Sequence, residues 1–200
     1  MSKKRLLATI VLSATFAVAG ARADVTHTPL DDTNRGVAAQ GDTDEAAMRR
    51  LLEQFRRIKI PLSQAVAIAE RLHNGSRPVD VSFEISGPAI YRVRTVRNER
   101  IWENVVDANT GSVTEKEILS SLKELDREDL SKIIALKTVE QELSDAVRIA
   151  EKAGAGSAVA GGLMKQDGKL NFVVIVASGN RLKEVMLEPP PVRTEKSVHH

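Results

Sequence analysis

From residue 62 the apolar positions fall at Leu62, Ala65, Val66, Ala69 and Leu72, the three-and-four spacing that gathers side chains on one face of a helix. Pro61 suits a first turn, and Asn74-Gly75 offers the left-handed residue that ends a helix. Three short runs follow, at 79–85 (VDVSFEI), 90–96 (IYRVRTV) and 101–106 (IWENVV), split by Ser86-Gly87-Pro88 and by an Asn98-Glu99 tip. Breaks this short join only antiparallel neighbours, so the pattern predicts a helix laid on a three-stranded meander.

The same pattern is written twice. A shift of 81 places Ala65, Val66, Ile68, Ala69 and Glu70 on Ala146, Val147, Ile149, Ala150 and Glu151, and Gly75-Ser76 on Gly156-Ser157. It continues without a gap through Tyr91 on Phe172, Val93 on Val174 and Glu103 on Glu184. In the second copy Thr138 and Gln141 resemble a capping box, which predicts a helix that starts earlier than its counterpart. The second copy's middle strand, LNFVVIVA, is apolar on both faces, so both are expected to be covered, by the other copy or by a connecting helix.

Flanking segments complete the outline. Residues 44–58 (DEAAMRRLLEQFRRI) form an amphipathic helix with Met48, Leu51, Leu52, Phe55 and Ile58 on one side and Arg49, Arg50, Arg56 and Arg57 largely opposite. Such a stripe caps its own core, or lies on an anionic membrane or in a partner's groove. Residues 117–137 read as a helical linker, one broken helix or two short ones, with Asp126 as a cap. The leader 24–43 and the tail 189–200 lack periodicity and read as flexible. The fold class is α+β: two tandem units of a helix plus a three-stranded antiparallel sheet, at 60–116 and 138–188, packed together through the linker.

The first 23 residues change the meaning of the composition. Lys3, Lys4 and Arg5, an apolar run from Leu6 to Ala19, and Ala21-Arg22-Ala23 are the three parts of a secretory signal, with cleavage expected near Ala23. The run is short of the ~20 residues that span a bilayer, so a cleaved signal is expected over an anchor, and a periplasmic or secreted location follows. Removing its four basic residues leaves 25 lysines and arginines against 27 acids. The basic balance therefore belongs to the signal, and with aromatics at 3% of the chain, nucleic acid is not an expected partner. There is no cysteine, so burial alone must hold the exported domain.

Candidate chemistry is thin. The four histidines, His27, His73, His199 and His200, are scattered, and there is no HExxH, GxSxG or phosphate-cradling loop, so no enzyme and no cofactor are expected. Asp107, Asn109 and Gly111 look like the start of a calcium loop, but Gly111, Ser112 and Ile118 stand where an EF-hand needs an oxygen ligand, a glycine and an acid. The structural reading is a turn in which Asp107 and Asn109 bond nearby N–H groups and Gly111 takes positive φ. Arg92, Arg94 and Arg97, with Trp102 beyond, offer a basic face for an acidic or peptide partner. The plainer alternative is a solvated face with Arg94 paired to a neighbour such as Glu103.

The helix SQAVAIAE, then Tyr91-Arg92-Val93, then Val106-Asp107-Ala108-Asn109-Thr110-Gly111-Ser112-Val113 together resemble the PepSY domain. In that family an apolar residue, Asp-x-x-Thr-Gly and a second apolar residue recur at this turn. The resemblance covers 60–116 well and 138–188 loosely, since Glu188-Pro189-Pro190 replaces the turn in the second copy. It implies a small non-catalytic exported module that binds another exported protein, a protease it restrains or chaperones being one case. No protease domain follows, which fits the free-standing type. The alternative function is an envelope-associated structural protein held to anionic lipid by the basic helix 44–58.

Overall fold

A computed structural model describes residues 35–85, 87–113 and 117–190, with side chains from residue 45 onward. The segment 1–23 expected to be a signal, the leader up to 34 and the tail from 191 lie outside the described residues. Among the described residues seven strands form one antiparallel sheet in the order β4-β3-β2-β1-β5-β6-β7. They are β1 (Arg77–Ile85), β2 (Ala89–Arg97), β3 (Arg100–Asp107), β4 (Ile118–Ser121), β5 (Ser157–Gln166), β6 (Lys169–Ser178) and β7 (Arg181–Leu187). The described residues also hold four α-helices, α1 (Arg35–Phe55), α2 (Leu62–Leu72), α3 (Arg127–Leu136) and α4 (Leu143–Gly154).

Both meanders form as the alternation predicts, but they do not make two sheets. Val81 of β1 pairs with Gly161 of β5, so the two units join edge to edge through backbone bonds and not through the linker. Val81 faces Val93, and Gly161 faces Val174, the residue 81 places beyond Val93. The two are therefore structural counterparts, and a local twofold axis passes between them. The first strand thus repeats at a spacing of 80 and the second and third at 81. The difference lies in the first hairpin: three residues separate Ile85 from its partner Ala89, two separate Gln166 from Lys169.

Residues paired across strands share a face. Val81, Phe83, Tyr91, Val93, Phe172, Val174 and Val176 all turn to the face that carries the helices, in a single core with Leu62, Val66, Leu143 and Val147. Among the described residues no α-helix packs on the other face, where Val96 and Ile101 are nonetheless buried. Val173 and Ile175 stand there only partly shielded, so the second covering layer expected for LNFVVIVA is absent from the described residues.

The repeat also reaches further upstream than the sequence reading placed it. Leu52, Phe55 and Ile58 fall, 81 residues on, at Ile133, Leu136 and Val139, and all six are buried or pack on the core. Phe55 meets Phe83 edge-on at 5.2 Å. Helix α3 likewise packs on β5, where Lys165 Nζ donates to Ser131 Oγ at 2.8 Å. So α1 is the counterpart of α3, each a helix preceding one copy. It runs Arg35–Phe55 where the periodicity predicted 44–58, so helix replaces the last residues of the flexible leader.

The linker 117–137 is not wholly helical. Its first residues add β4 to the edge of β3, Ser121 and Glu124 form a capping box on a single 3-10 turn, and only then does Asp126 cap α3 through the Asp129 N–H. The capping box expected at Thr138 and Gln141 does not form: the Thr138 hydroxyl donates to the Ala135 carbonyl instead. α4 begins at Leu143, in step with Leu62 of α2.

Candidate functional site

The pleat of β2 and β3 separates the residues that the sequence grouped into one binding face. The two-residue tip Asn98-Glu99 closes on an Arg97–Arg100 pair, which sets Arg92 against Val105, Arg94 against Glu103 and Thr95 against Trp102. Arg92 and Arg94 therefore point away from the helices, and Trp102 points toward them. Arg97 turns with Trp102 and donates to the Asn74 carbonyl, tying down the end of α2.

On the helix-free face the arginines are already matched. Arg92 donates to Glu84 at 3.1 Å and to Glu103 at 2.7 Å, and Arg94 pairs with Asp80 at 3.1 Å, not with Glu103. Burial works against the charge on Arg92, but the bonds to Glu84 and Glu103 outweigh it and hold its pKa above the ordinary arginine value. Two cations among three acids leave no basic surface here for an acidic partner.

Under the helices, Trp102 stacks on His73, with ring centres 4.3 Å apart and planes 16° from parallel. The His73 Nε2 in turn meets the Glu117 carboxylate. The end of α2, the strand β3 and the lead into β4 are thus joined through three side chains. Around them Leu72 is 46% exposed and Leu119, directly opposite Trp102 on β4, is 54% exposed. Leu72 closes the predicted helix stripe but stays outside the core.

The turn after β3 behaves as a backbone device. The Asp107 carboxylate accepts from the N–H of Asn109 at 2.8 Å, the N–H of Thr110 at 2.7 Å and the Thr110 hydroxyl at 3.0 Å. These donors, the Asn109 N–H first, hold its pKa below the usual aspartate value. Gly111 has φ of 74° and its amide returns to the Asp107 carbonyl. The Thr110 hydroxyl, rather than the Asn109 side chain expected from the sequence, accepts from the Ser112 N–H. The Ala108 carbonyl accepts from Lys59 and Ile60, and Tyr91 Oη donates to the Ile60 carbonyl at 3.0 Å. The turn therefore anchors the segment that leads into α2.

Residues 59–117 match the family described as "Peptidase propeptide and YPEB domain". They are a PepSY domain. The turn Asp107–Gly111 and the helix α2 lie inside that match. A solved structure of a candidate lipoprotein from Clostridium difficile 630 is similar at 20% identity, over 66% of this chain and 88% of that one, with a TM-score of 0.40. No curated protein matches.

The PepSY domain also holds a pair that sequence reasoning passed over. Thr95 and Asn104, 0% and 1% exposed, lie beside Trp102 on the helix side, and neither the Thr95 hydroxyl nor either Asn104 amide atom has a hydrogen-bond partner. Their counterparts in the second copy are Val176 and Val185. Trp102 and His73 correspond to Lys183 and Gly154, where the Lys183 amine donates to the Gly154 carbonyl at 3.0 Å. Comparing the copies position by position would have found this: the PepSY domain has Thr95 and Asn104 where the other copy has two valines. Elsewhere Arg56, one of the basic set and just past the end of α1, bonds the Gly179 carbonyl at 2.7 Å, so it serves the fold.

Proposed function

We propose that the protein is a non-catalytic exported module that docks another exported protein through the PepSY domain, at the patch centred on Trp102. The observation that carries this reading is the contrast between copies. Unpartnered Asn104 and Thr95 lower stability, by ~1–3 kcal/mol for each unsatisfied group. The second copy shows that the fold does not need them. They lie beneath a stacked Trp102 rimmed by exposed Leu72 and Leu119, the mixture of aromatic centre and apolar rim typical of binding hot spots. Export rests on the signal reading of residues 1–23, and a peptidase as the docked protein rests on what the family is named for.

Wild type, Trp102→Ala/Leu119→Ser and Arg92→Glu/Arg94→Glu would be used as baits in an envelope extract. The expected result is a partner set lost from the first variant and kept by the second. Equal recovery by all three overturns the Trp102 patch. The membrane alternative has Arg49 and Arg50 exposed on α1 and Arg57 exposed in the turn after it in its support, while Leu52 and Phe55 are used in the core. Sedimentation with anionic vesicles that depends on those three arginines would favour it. No described helix is long and apolar enough to cross a membrane.

A further inference from the structure

Strands β3 and β7 are counterparts, since β7 lies on β6 in the register that β3 holds on β2, displaced by 81. The outer edge of β3 is taken: Arg100, Ile101, Trp102 and Glu103 pair with β4. The same four places in β7 are Arg181, Leu182, Lys183 and Glu184, and no described strand lies against them. An edge strand turns a row of N–H and C=O groups outward, ready to pair. One copy supplies its own covering strand, and the other presents the equivalent edge for seven residues.

The side chains of β7 divide by face. Arg181 and Lys183 stand on the helix side, in line with Val185, which pairs with Val174. Leu182, Glu184 and Met186 stand on the other, and Met186 is 42% exposed. Charges on an edge ordinarily discourage pairing. Here both cations share one face, so the strand they repel is a basic one, and a strand with acids on that face is attracted.

We infer that the outer edge of β7 takes an extended segment of another protein as an eighth strand, antiparallel as β4 is to β3. The segment carries acidic side chains over Arg181 and Lys183 and apolar ones over Leu182 and Met186. This goes beyond the docking patch at Trp102, lies at the opposite end of the sheet, and does not depend on it.

The test uses the full mature chain and two synthetic eight-residue probes, one alternating glutamate with valine and one alternating lysine with valine. The acidic probe should bind and slow amide hydrogen exchange along Arg181–Leu187, and the basic probe should bind at least about tenfold more weakly. Arg181→Glu/Lys183→Glu should reverse the preference. Arg181→Glu alone, which leaves the Lys183 bond to Gly154 intact, should shrink it. Equal binding of both probes, a preference unmoved by either variant, or protection that appears elsewhere on the chain would overturn the inference. So would a dimer of this chain that protects the same amides and is not displaced by the acidic probe.

Discussion

Val81 and Gly161 pair directly across the centre of the sheet, and each is the other's counterpart in the repeat. The glycine leaves room under α4: a Cβ on Gly161 would lie 3.4 Å from Leu143 and 3.5 Å from Val147, ordinary contact. Gly156 is different, because a Cβ there would lie 2.1 Å from the Ala177 carbonyl oxygen. Gly161→Ala should leave stability unchanged or raise it by up to ~1 kcal/mol. Gly156→Ala should cost more than about 2 kcal/mol, since backbone must move. Urea unfolding of the two variants checks the contrast, and equal midpoints would refute it.

Replacing the buried polar pair by the residues of the second copy should stabilise the fold. Thr95→Val and Asn104→Val each remove atoms that have no hydrogen-bond partner, and a gain of ~1 kcal/mol or more is expected from each. Val185→Asn should lose a similar amount. A drop in melting temperature for Asn104→Val would show that the amide is satisfied in solution.

Gly111→Val should destabilise the PepSY domain by ~1–3 kcal/mol, because φ is 74° and a Cβ would press on Ile68 at 3.2 Å. The loss should spread to α2, since the same turn holds Lys59 and Ile60. Hydrogen exchange accelerated across residues 62–72 is the readout, and an unchanged pattern would remove the claim.

Two carboxyls should shape the acid limb in opposite senses. Asp107, whose pKa the Asn109 and Thr110 N–H groups depress, contributes stability that is complete above the ordinary aspartate value near ~3.9 and lost as pH falls through its folded value. Asp107→Asn should therefore flatten the fall in melting temperature below about pH 4. Glu70 is raised by burial first, then by Glu142 and Asp145. Its contribution is complete below the ordinary glutamate value near ~4.3 and lost as pH rises through the folded one. Glu70→Gln should raise the melting temperature at pH 7 and leave it unchanged at pH 3.

Because β1 pairs with β5, the PepSY domain does not end in a free surface. A chain of residues 24–117 should melt at lower temperature than a chain of residues 24–200 and less cooperatively, since its β1 edge and the core facing α4 would meet water. Calorimetry showing the same transition for both would mean that the copies do not support each other.

Helix α2, helix α4, both meanders and the Asp107 turn were legible because each is set by local spacing and turn chemistry. The β1–β5 seam was not, because alternation says that a strand has two faces without saying which strand lies beside it. Residues 118–121 were read as helix because a four-residue apolar-to-polar run fits either period. The grouping of Arg94 with Trp102 failed on parity. The Asn98-Glu99 tip was visible in the sequence, and counting two residues through it sets Trp102 against Thr95 and away from Arg94. The kinship of α1 and α3 was legible as well, by carrying the shift of 81 back to Leu52 and Phe55.

A seam in which a residue pairs with its own counterpart has the geometry of an isologous interface, the kind that two identical chains form. Each copy is in this sense one protomer of a dimer written into a single polypeptide. The stretch between the copies then acts as a tether, replacing association from dilute solution by an effective concentration on the order of millimolar. With no disulfide to join the two halves, that tether keeps them together at any concentration.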